Sequence, residues 1–414
     1  MGKENKLVRR QPSLRFFGFN KDIPLKTLDQ IAEFRRGSFP QPYGLDKWYD
    51  DISGFPFVQV FDVDNNYKLK PDTKRKISAA ARELSVFIPK GTIVLTIQGS
   101  IGRIAITQYD ACCDRTLLIF QRFKVPLAEG FFVNALFLLF EIEKRSAPGG
   151  TIKTITKERL KSFQVALPPI EEQQQIADFL TAVDQRIQQL IQKKALLEDY
   201  KKGVMQQLFS QAIRFKDDDG DDFPDWEETK LGSITKWSSG GTPPKDNPDF
   251  WVGDIPWISA ASMHERLYFD SPTMISTEGL LKGSRLAKKG TLLLLVRGSM
   301  LWNRIPVGIT GRDVAFNQDV KSLEASKAVS VLFLLQWFIA SENVLLHKVV
   351  GTGIGAGKLD TDEMKNLDMH LPHPDEQTKI ANFLSTIDSK IEAVASQIIH
   401  TRTFKQGLLQ QMFV

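Results

Sequence analysis

The chain has 414 residues, enough for two or three domains with real cores, and its apolar (42%) and charged (25%) fractions are ordinary for a soluble protein. There is no signal-peptide pattern and no apolar run long enough to cross a bilayer, and the only two cysteines are adjacent, so an exported, membrane-embedded or disulfide-stapled protein is not expected and the cytoplasm is the expected compartment. The net charge of +5 is uneven: residues 217–228 hold eight acids and no Lys or Arg, leaving +13 elsewhere, which is compatible with a DNA-facing surface and equally with a solvated surface of no function.

Residues 1–22 read as a basic, polar N-terminal arm. Residues 23–166 carry short strand-like runs between turn signals, Phe57 to Phe61, Ile93 to Ile97 and Ile104 to Ile106, with one apolar helix-like stretch, Phe132 to Phe140. Residues 167–212 read as one long helix. Ile176, Leu180, Val183, Ile187, Leu190, Lys194, Leu197, Lys201, Val204 and Leu208 alternate steps of four and three, the a/d seam of a coiled coil. Prolines before the first turn and Glu171 and Glu172 within it suit a helix start. Residues 213–225 form an acidic linker. Residues 226–370 repeat the pattern of a head, with Leu292 to Val296 and Val307 to Ile309 as strands and Val331 to Ile339 as helix. Residues 371–414 are a second long helix with its seam at Ile380, Leu384, Ile387, Ile391, Val394, Ile398, Thr401, Lys405, Leu408 and Met412.

The two helices are one segment written twice. Residues 167–209 return as 371–413 at an offset of 204 with no gap over 43 positions: Leu167-Pro168-Pro169-Ile170-Glu171-Glu172-Gln173 becomes Leu371-Pro372-His373-Pro374-Asp375-Glu376-Gln377. About 40 helical residues span roughly 60 Å. The economical expectation is that the copies pack on each other, the alternative being two separate core helices from a duplication. Polar seam residues such as Lys201 and Lys405 can fix register or direction. The heads are related more weakly, through Gly99-Ser100 and Gly298-Ser299 and through Thr156 to Leu160 and Asp360 to Met364. Each reads as a mixed α+β domain of about 140 residues. Leu14-Arg15-Phe16 echoes Ile213-Arg214-Phe215, so the arm looks like a cut-open copy of the linker, and the end of the second helix is expected near the start of the first head.

A search for catalytic groups finds none. His264, His347, His370, His373 and His400 lack metal-ligand spacing. Gly351 to Lys358 fails as a phosphate loop, because Thr352 stands where the first glycine is required and Leu359 follows the lysine. Asn247-Pro248-Asp249-Phe250 lacks the second proline of the amino-methyltransferase motif, and no cofactor-binding glycine motif precedes it.

Two divergent heads, each followed by the same Leu-Pro…Glu-Gln…Ile-Ala…Leu helix, resemble the specificity (S) subunit of type I restriction–modification systems. The second head adds Leu231-Gly232-Ser233-Ile234, Gly240-Gly241-Thr242-Pro243 and Gly253-Asp254-Ile255-Pro256-Trp257-Ile258; the first departs from this opening, with Phe55-Pro56-Phe57-Val58 in place of the last stretch. The resemblance implies an α+β fold of two pseudo-repeated target-recognition domains, each followed by a long helix, the helices pairing as an antiparallel coiled coil. It implies that each head reads half of a bipartite double-stranded DNA site, here asymmetric because the heads differ. The helices would dock two methyltransferase subunits, with restriction subunits joining when present. It also implies no catalytic residue, no metal and no cofactor in this chain. S-adenosylmethionine would belong to the methyltransferase, which acts on adenine N6, and ATP and Mg to the restriction subunit. The competing expectation is a non-catalytic coiled-coil scaffold whose heads bind proteins.

Reading DNA needs side chains at base edges and cations at phosphates. The first head offers Arg35, Arg36, Ser38, Gln41, Tyr43 and Lys47 in an early Pro/Gly-rich loop, and the second Ser239, Gly241, Thr242, Lys245 and Asn247 at the matching place. Gln98, Ser100 and Arg103 match Arg297, Ser299 and Arg304 after a strand, and Lys153 and Lys358 fall near the glycine-rich loops before each helix.

Overall fold

The computed structural model describes residues 11–64, 66–146, 155–353 and 355–413. The chain forms two compact units, Met1–Ile191 with Ser396–Val414, and Gln192–Ala395. The division falls inside both long helices, Ile170–Phe209 and Pro374–Met412. Each unit therefore holds one head, the first half of the helix that follows it and the second half of the other helix.

In the first unit the head's first and last strands, Leu25–Thr27 and Gln164–Ala166, pair antiparallel. Between them lie two four-stranded sheets. One has the order Ala32–Arg36, Leu117–Phe123, Ile93–Thr96, Ile104–Ile106; the other is Arg75–Ile77, Phe55–Val58, Ala111–Cys113, Val86–Ile88. Phe55–Val58 and Ala111–Cys113 run parallel and the other pairs antiparallel. Ile93–Thr96 is buried at all four positions, so it reads as an unbroken apolar run rather than an alternation. The expected strand Phe57 to Phe61 ends early. The Asp62 carboxylate accepts the Gln59 N–H at 2.8 Å, which turns Val60–Asp62 into a 3-10 turn and stops the ladder at Val58.

The second unit repeats this frame. Glu227–Lys230 pairs with Asp368–Leu371, and a buried strand, Leu292–Leu295, replaces Ile93–Thr96. The mixed sheet is Met274–Ile275, Ile255–Ile258, Val314–Phe316, Arg285–Ala287. An additional three-stranded sheet, Arg297–Gly298, Gly357–Lys358, Val350–Gly351, holds the two ends of the glycine-rich segment.

The repeated Glu-Gln pair shows why the helix starts resemble each other. Glu172 is buried and receives Arg15 in two hydrogen bonds of 2.8 and 2.6 Å; Glu376 is buried and receives Arg214 at 3.2 and 2.8 Å. Gln173 accepts from Ala128 N and donates to Pro168 O, while Gln377 accepts from Ser330 N and donates to Pro372 O and Ala328 O. Ala128 and Ser330 immediately precede the apolar head helices, Glu129–Ser146 and Val331–Ala340. Phe16 meets Phe179 edge-on and Phe215 meets Phe383. Leu14 donates its N–H to Gln411 O at 3.0 Å, and Ile213 donates to Gln207 O at 3.3 Å. The arm thus repeats the linker's arginine, aromatic and backbone ties, and within the first unit it meets the end of the second helix as expected.

The seam is antiparallel in both units. Lys405 Nζ lies 2.7 and 2.8 Å from the Asp184 carboxylate oxygens in the first unit, and Lys201 Nζ 2.7 Å from both oxygens of Asp388 in the second. These contacts exchange under the 204-residue offset, so the half-buried lysines on the seam pair in one direction and one register. Ile176, Leu180, Val183 and Ile187 share one core with Leu408, Leu409, Met412 and the first head, as Ile380, Leu384 and Ile387 do with Met205, Leu208 and the second head.

Removing an arm arginine strands a buried carboxylate. Arg15→Ala is expected to lower stability by about 3–5 kcal/mol, read as a lower urea midpoint, and Glu172→Gln added to it to restore most of the loss. An unchanged midpoint in Arg15→Ala would show that the tie carries no stability.

Candidate nucleic-acid interface

In each head the parallel strand of the mixed sheet ends in a tight turn, Asp114-Arg115-Thr116 after Ala111–Cys113 and Asn317-Gln318-Asp319 after Val314–Phe316. Asp and Asn suit this place because their side chains bond the backbone two residues on. The Asp114 carboxylate accepts Thr116 N at 2.9 Å and also the Thr116 hydroxyl; Asn317 Oδ1 accepts Asp319 N and Val320 N, both at 3.1 Å. Each turn is closed by its own side-chain hydrogen bonds.

Three neighbouring loops tie onto each turn through the same backbone bonds. Ser38 N donates to Cys113 O, Asp114 N to Val58 O and Ile97 N to Thr116 O in the first head. Gly241 N donates to Phe316 O, Asn317 N to Ile258 O and Val296 N to Asp319 O in the second. Gly37 and Gly240 permit the first crossing: a Cβ would meet Cys113 O at 2.2 Å or Phe316 O at 2.1 Å. A Cβ on Gly99 would lie 3.9 Å from Val60 Cγ1, and one on Gly298 3.8 Å from Ala260 Cβ, so the loops after the two buried strands join the same face.

This frame takes in Ser38, Tyr43, Gly241 and Thr242 among the residues singled out in the sequence. Tyr43 donates its hydroxyl to Asp114 at 3.3 Å and accepts from Gln59 Nε2 at 2.7 Å; burial, with the Asp114 carboxylate nearby, raises its pKa and keeps it a donor. Ser38 is half-buried just past the strand Ala32–Arg36, and Gln41 and Lys47 are exposed, Lys47 lying 4.3 Å over the Trp48 ring. Thr242 donates to Gln318 Oε1 at 2.7 Å, and Gly241 N is bound in the frame. Gln98 and Ser100 flank Gly99, and Ser299 follows Gly298. Arg297 and Lys358 face each other across neighbouring strands, and the Asp360 carboxylate lies 3.9 Å from Lys358 Nζ. Arg35 and Arg36 are exposed on Ala32–Arg36, and Lys245 is exposed.

Other candidates are occupied with the protein itself. Arg304 donates to Met263 O at 2.7 Å and to His264 O, and Arg103 reaches Val63 O at 3.5 Å. Ser239 accepts from Lys321 Nζ at 2.8 Å, and Asn247 Oδ1 caps Asp249 N at the start of Pro248–Trp251. Lys153 lies outside the described residues.

Sequence reasoning missed Arg115 and Gln318. It also missed Arg75 over Tyr49 (3.8 Å), Arg82 over Phe55 (4.1 Å) and Lys74 over Phe61 (4.9 Å), which give the first head a basic and aromatic face. A signal existed at offset 203, where an apolar triplet precedes Asp or Asn in both heads. Among the described residues no group of three or more His, Cys, Asp or Glu is arranged to hold a metal ion, and no described helix is long and apolar enough to cross a membrane. Burial pushes the Cys112 thiol up to about 11 and Cys113 well above its ordinary value, which suits packing rather than nucleophilic attack.

A family model described as the type I restriction modification DNA specificity domain matches residues 20–199 and 224–400. The type I restriction enzyme EcoR124I/EcoR124II specificity subunit of Escherichia coli is 28% identical over 40% of this chain and 41% of its own length. The MjaIX specificity subunit of Methanocaldococcus jannaschii is 27% identical over 62% of this chain and 61% of its own. The chain thus spans about two-fifths and three-fifths of the curated relatives it matches. Two solved structures share the fold at 16% identity. One comes from work on complex assembly and conformational transition of the type I R-M system (TM-score 0.62, covering 96% of this chain and 98% of the other). The other is the type I restriction–modification S subunit from M. genitalium (0.59, 98% and 99%).

Because Gly240 lies against the turn backbone, Gly240→Ala is expected to cost about 1–3 kcal/mol and to speed amide exchange at Asp319 and Val320. Unaltered exchange there would mean that the crossing does not hold the turn.

Proposed function

The chain belongs to the type I restriction modification DNA specificity family, and from that membership we propose that it reads an asymmetric, bipartite double-stranded DNA site with one half-site per head. The observation that carries this reading is the shared loop frame. The same three backbone ties hold the same turn in both heads while the side chains displayed on it differ. A shared frame with variable polar tips suits two readers of unrelated half-sites, since specificity resides in side chains at base edges and affinity in contacts to phosphate.

The chain would act without catalytic groups of its own. Methyl transfer from S-adenosylmethionine to adenine N6, on a base drawn out of the stack, would belong to two methyltransferase subunits. ATP and Mg would belong to restriction subunits where these join. The chain itself would hold no cofactor and would work in the cytoplasm.

Two equivalent surfaces support the docking of two copies of one partner. Tyr200 and Phe404 stand at the same place in the repeat and are 53% and 54% exposed. On another face of the same helices each unit has a groove, about 790 Å3 in one and about 570 Å3 in the other. Lys201, Met205 and Phe209 line the first, and their repeats Lys405, Leu409 and Phe413 line the second.

Aromatic side chains are common binding hot spots worth about 2 kcal/mol or more. Tyr200→Ala or Phe404→Ala is expected to weaken one of two methyltransferase copies roughly 30-fold, and the double variant both, as counted by native mass spectrometry. Full occupancy in the double variant would place docking elsewhere. For the heads, affinity of the assembled complex for its site should fall steeply between 50 and 200 mM salt. The variant carrying both Arg35→Ala and Arg36→Ala should alter methylation at one half-site only; equal impairment of both, with folding intact, would refute one reader per half-site.

A further inference from the structure

We infer that Arg115 and Gln318 are the base-selecting side chains of the two heads, Arg115 taking a guanine in one half-site and Gln318 an adenine in the other; this assignment rests on the DNA reading above. The two residues hold equivalent positions. Each is the middle residue of its turn, follows Asp114 or Asn317, and sits where three loops tie onto one backbone. Both side chains are exposed although the residues before them are buried. The three backbone ties are shared, so the heads differ at this point chiefly in the side chains they display.

That chemistry discriminates. A guanidinium presents parallel donors matching the O6 and N7 acceptors of guanine in the major groove; a carboxamide offers one acceptor and one donor, matching N6 and N7 of adenine. Arg115 is available for this role. Its guanidinium lies 5.6 Å from the Tyr43 ring centroid, a cation–π approach that leaves its N–H donors unused. Tyr43 is in turn fixed by Asp114 and Gln59. Gln318 is oriented by the Thr242 hydroxyl, which donates to Oε1 at 2.7 Å. One lone pair on that oxygen and the amide donors remain for a base. Gln318 therefore meets DNA already oriented, which reduces the entropy lost on binding.

The neighbouring candidates suit other tasks. Arg103 and Arg304 are spent on main-chain carbonyls and Asn247 on a cap. Lys47, Lys245 and Arg297 are exposed cations elsewhere in the heads and suit phosphates.

The test uses the full chain in complex with its genomically neighbouring methyltransferase. A methylation map in cells lacking the system first defines the bipartite motif; failure of the wild-type complex to methylate any such motif would overturn the DNA reading and this assignment with it. Methylation rates are then measured on duplexes in which each purine of the half-sites is replaced by its 7-deaza analogue, which removes only the N7 acceptor. The wild-type complex is expected to lose roughly 5- to 150-fold at one guanine of one half and at one adenine of the other. Arg115→Ala should be indifferent to the first replacement and Gln318→Ala to the second, while Arg115→Gln should move the preference at that guanine towards adenine. Wild-type tolerance of every 7-deaza replacement would overturn the assignment without a variant being needed. So would a variant that slows all sites equally and keeps the wild-type base preferences, the mark of a phosphate contact.

Discussion

The fold depends on two buried carboxylates, Glu172 and Glu376. Each sits in the first turn of a long helix, and each is neutralised by an arginine from a segment well before it in the chain, Arg15 or Arg214. A charge so far from water is tolerable only when paired and fully hydrogen-bonded. Glu376 also takes the indole N–H of Trp226. The neighbouring glutamines clamp the backbone entering the head helices. One dipeptide thus fastens the entry segment, the head helix and the long helix to one another.

From that fastening the seam follows. With the helix starts held, Asp184 meets Lys405 in one unit and Asp388 meets Lys201 in the other. A parallel or shifted pairing would leave half-buried lysines against apolar neighbours, so the polar pairs trade stability for direction. The exchange of these contacts under one constant offset means that a single set of helix residues serves both units.

The heads divide their labour differently. Their sheets and turn backbones repeat, as Ser38 N to Cys113 O repeats in Gly241 N to Phe316 O, whereas the displayed surfaces do not. The first head packs Lys47, Lys74, Arg75, Arg82 and Arg115 over aromatic rings; the second sets Trp251 against Trp257 and raises a small three-stranded sheet that places Arg297 opposite Lys358. A scaffold kept constant beneath divergent tips allows one half-site to change while the other stays as it is.

The helices were legible in the sequence because their periodicity and their repetition are both local properties. Ile176 to Leu208 states its seam in steps of four and three, and Ile380 to Met412 states it again. The lysines on that seam were visible as exceptions, but their partners Asp184 and Asp388 were not, since they lie off the a/d positions on the opposing helix. The early loops holding Tyr43 and Thr242 stood out through turn composition. Arg115 and Gln318 did not, because each is the second of two polar residues after an apolar triplet, and nothing local shows that three loops from distant parts of the chain converge there. The roles of Arg103 and Arg304 were likewise hidden, since the carbonyls that hold them, Val63 O and Met263 O, lie about 40 residues away. Periodic burial and duplication are written along the chain and can be read from it. Which polar groups stay free to meet a ligand is decided by long-range hydrogen bonding, and that exists only once the chain has folded.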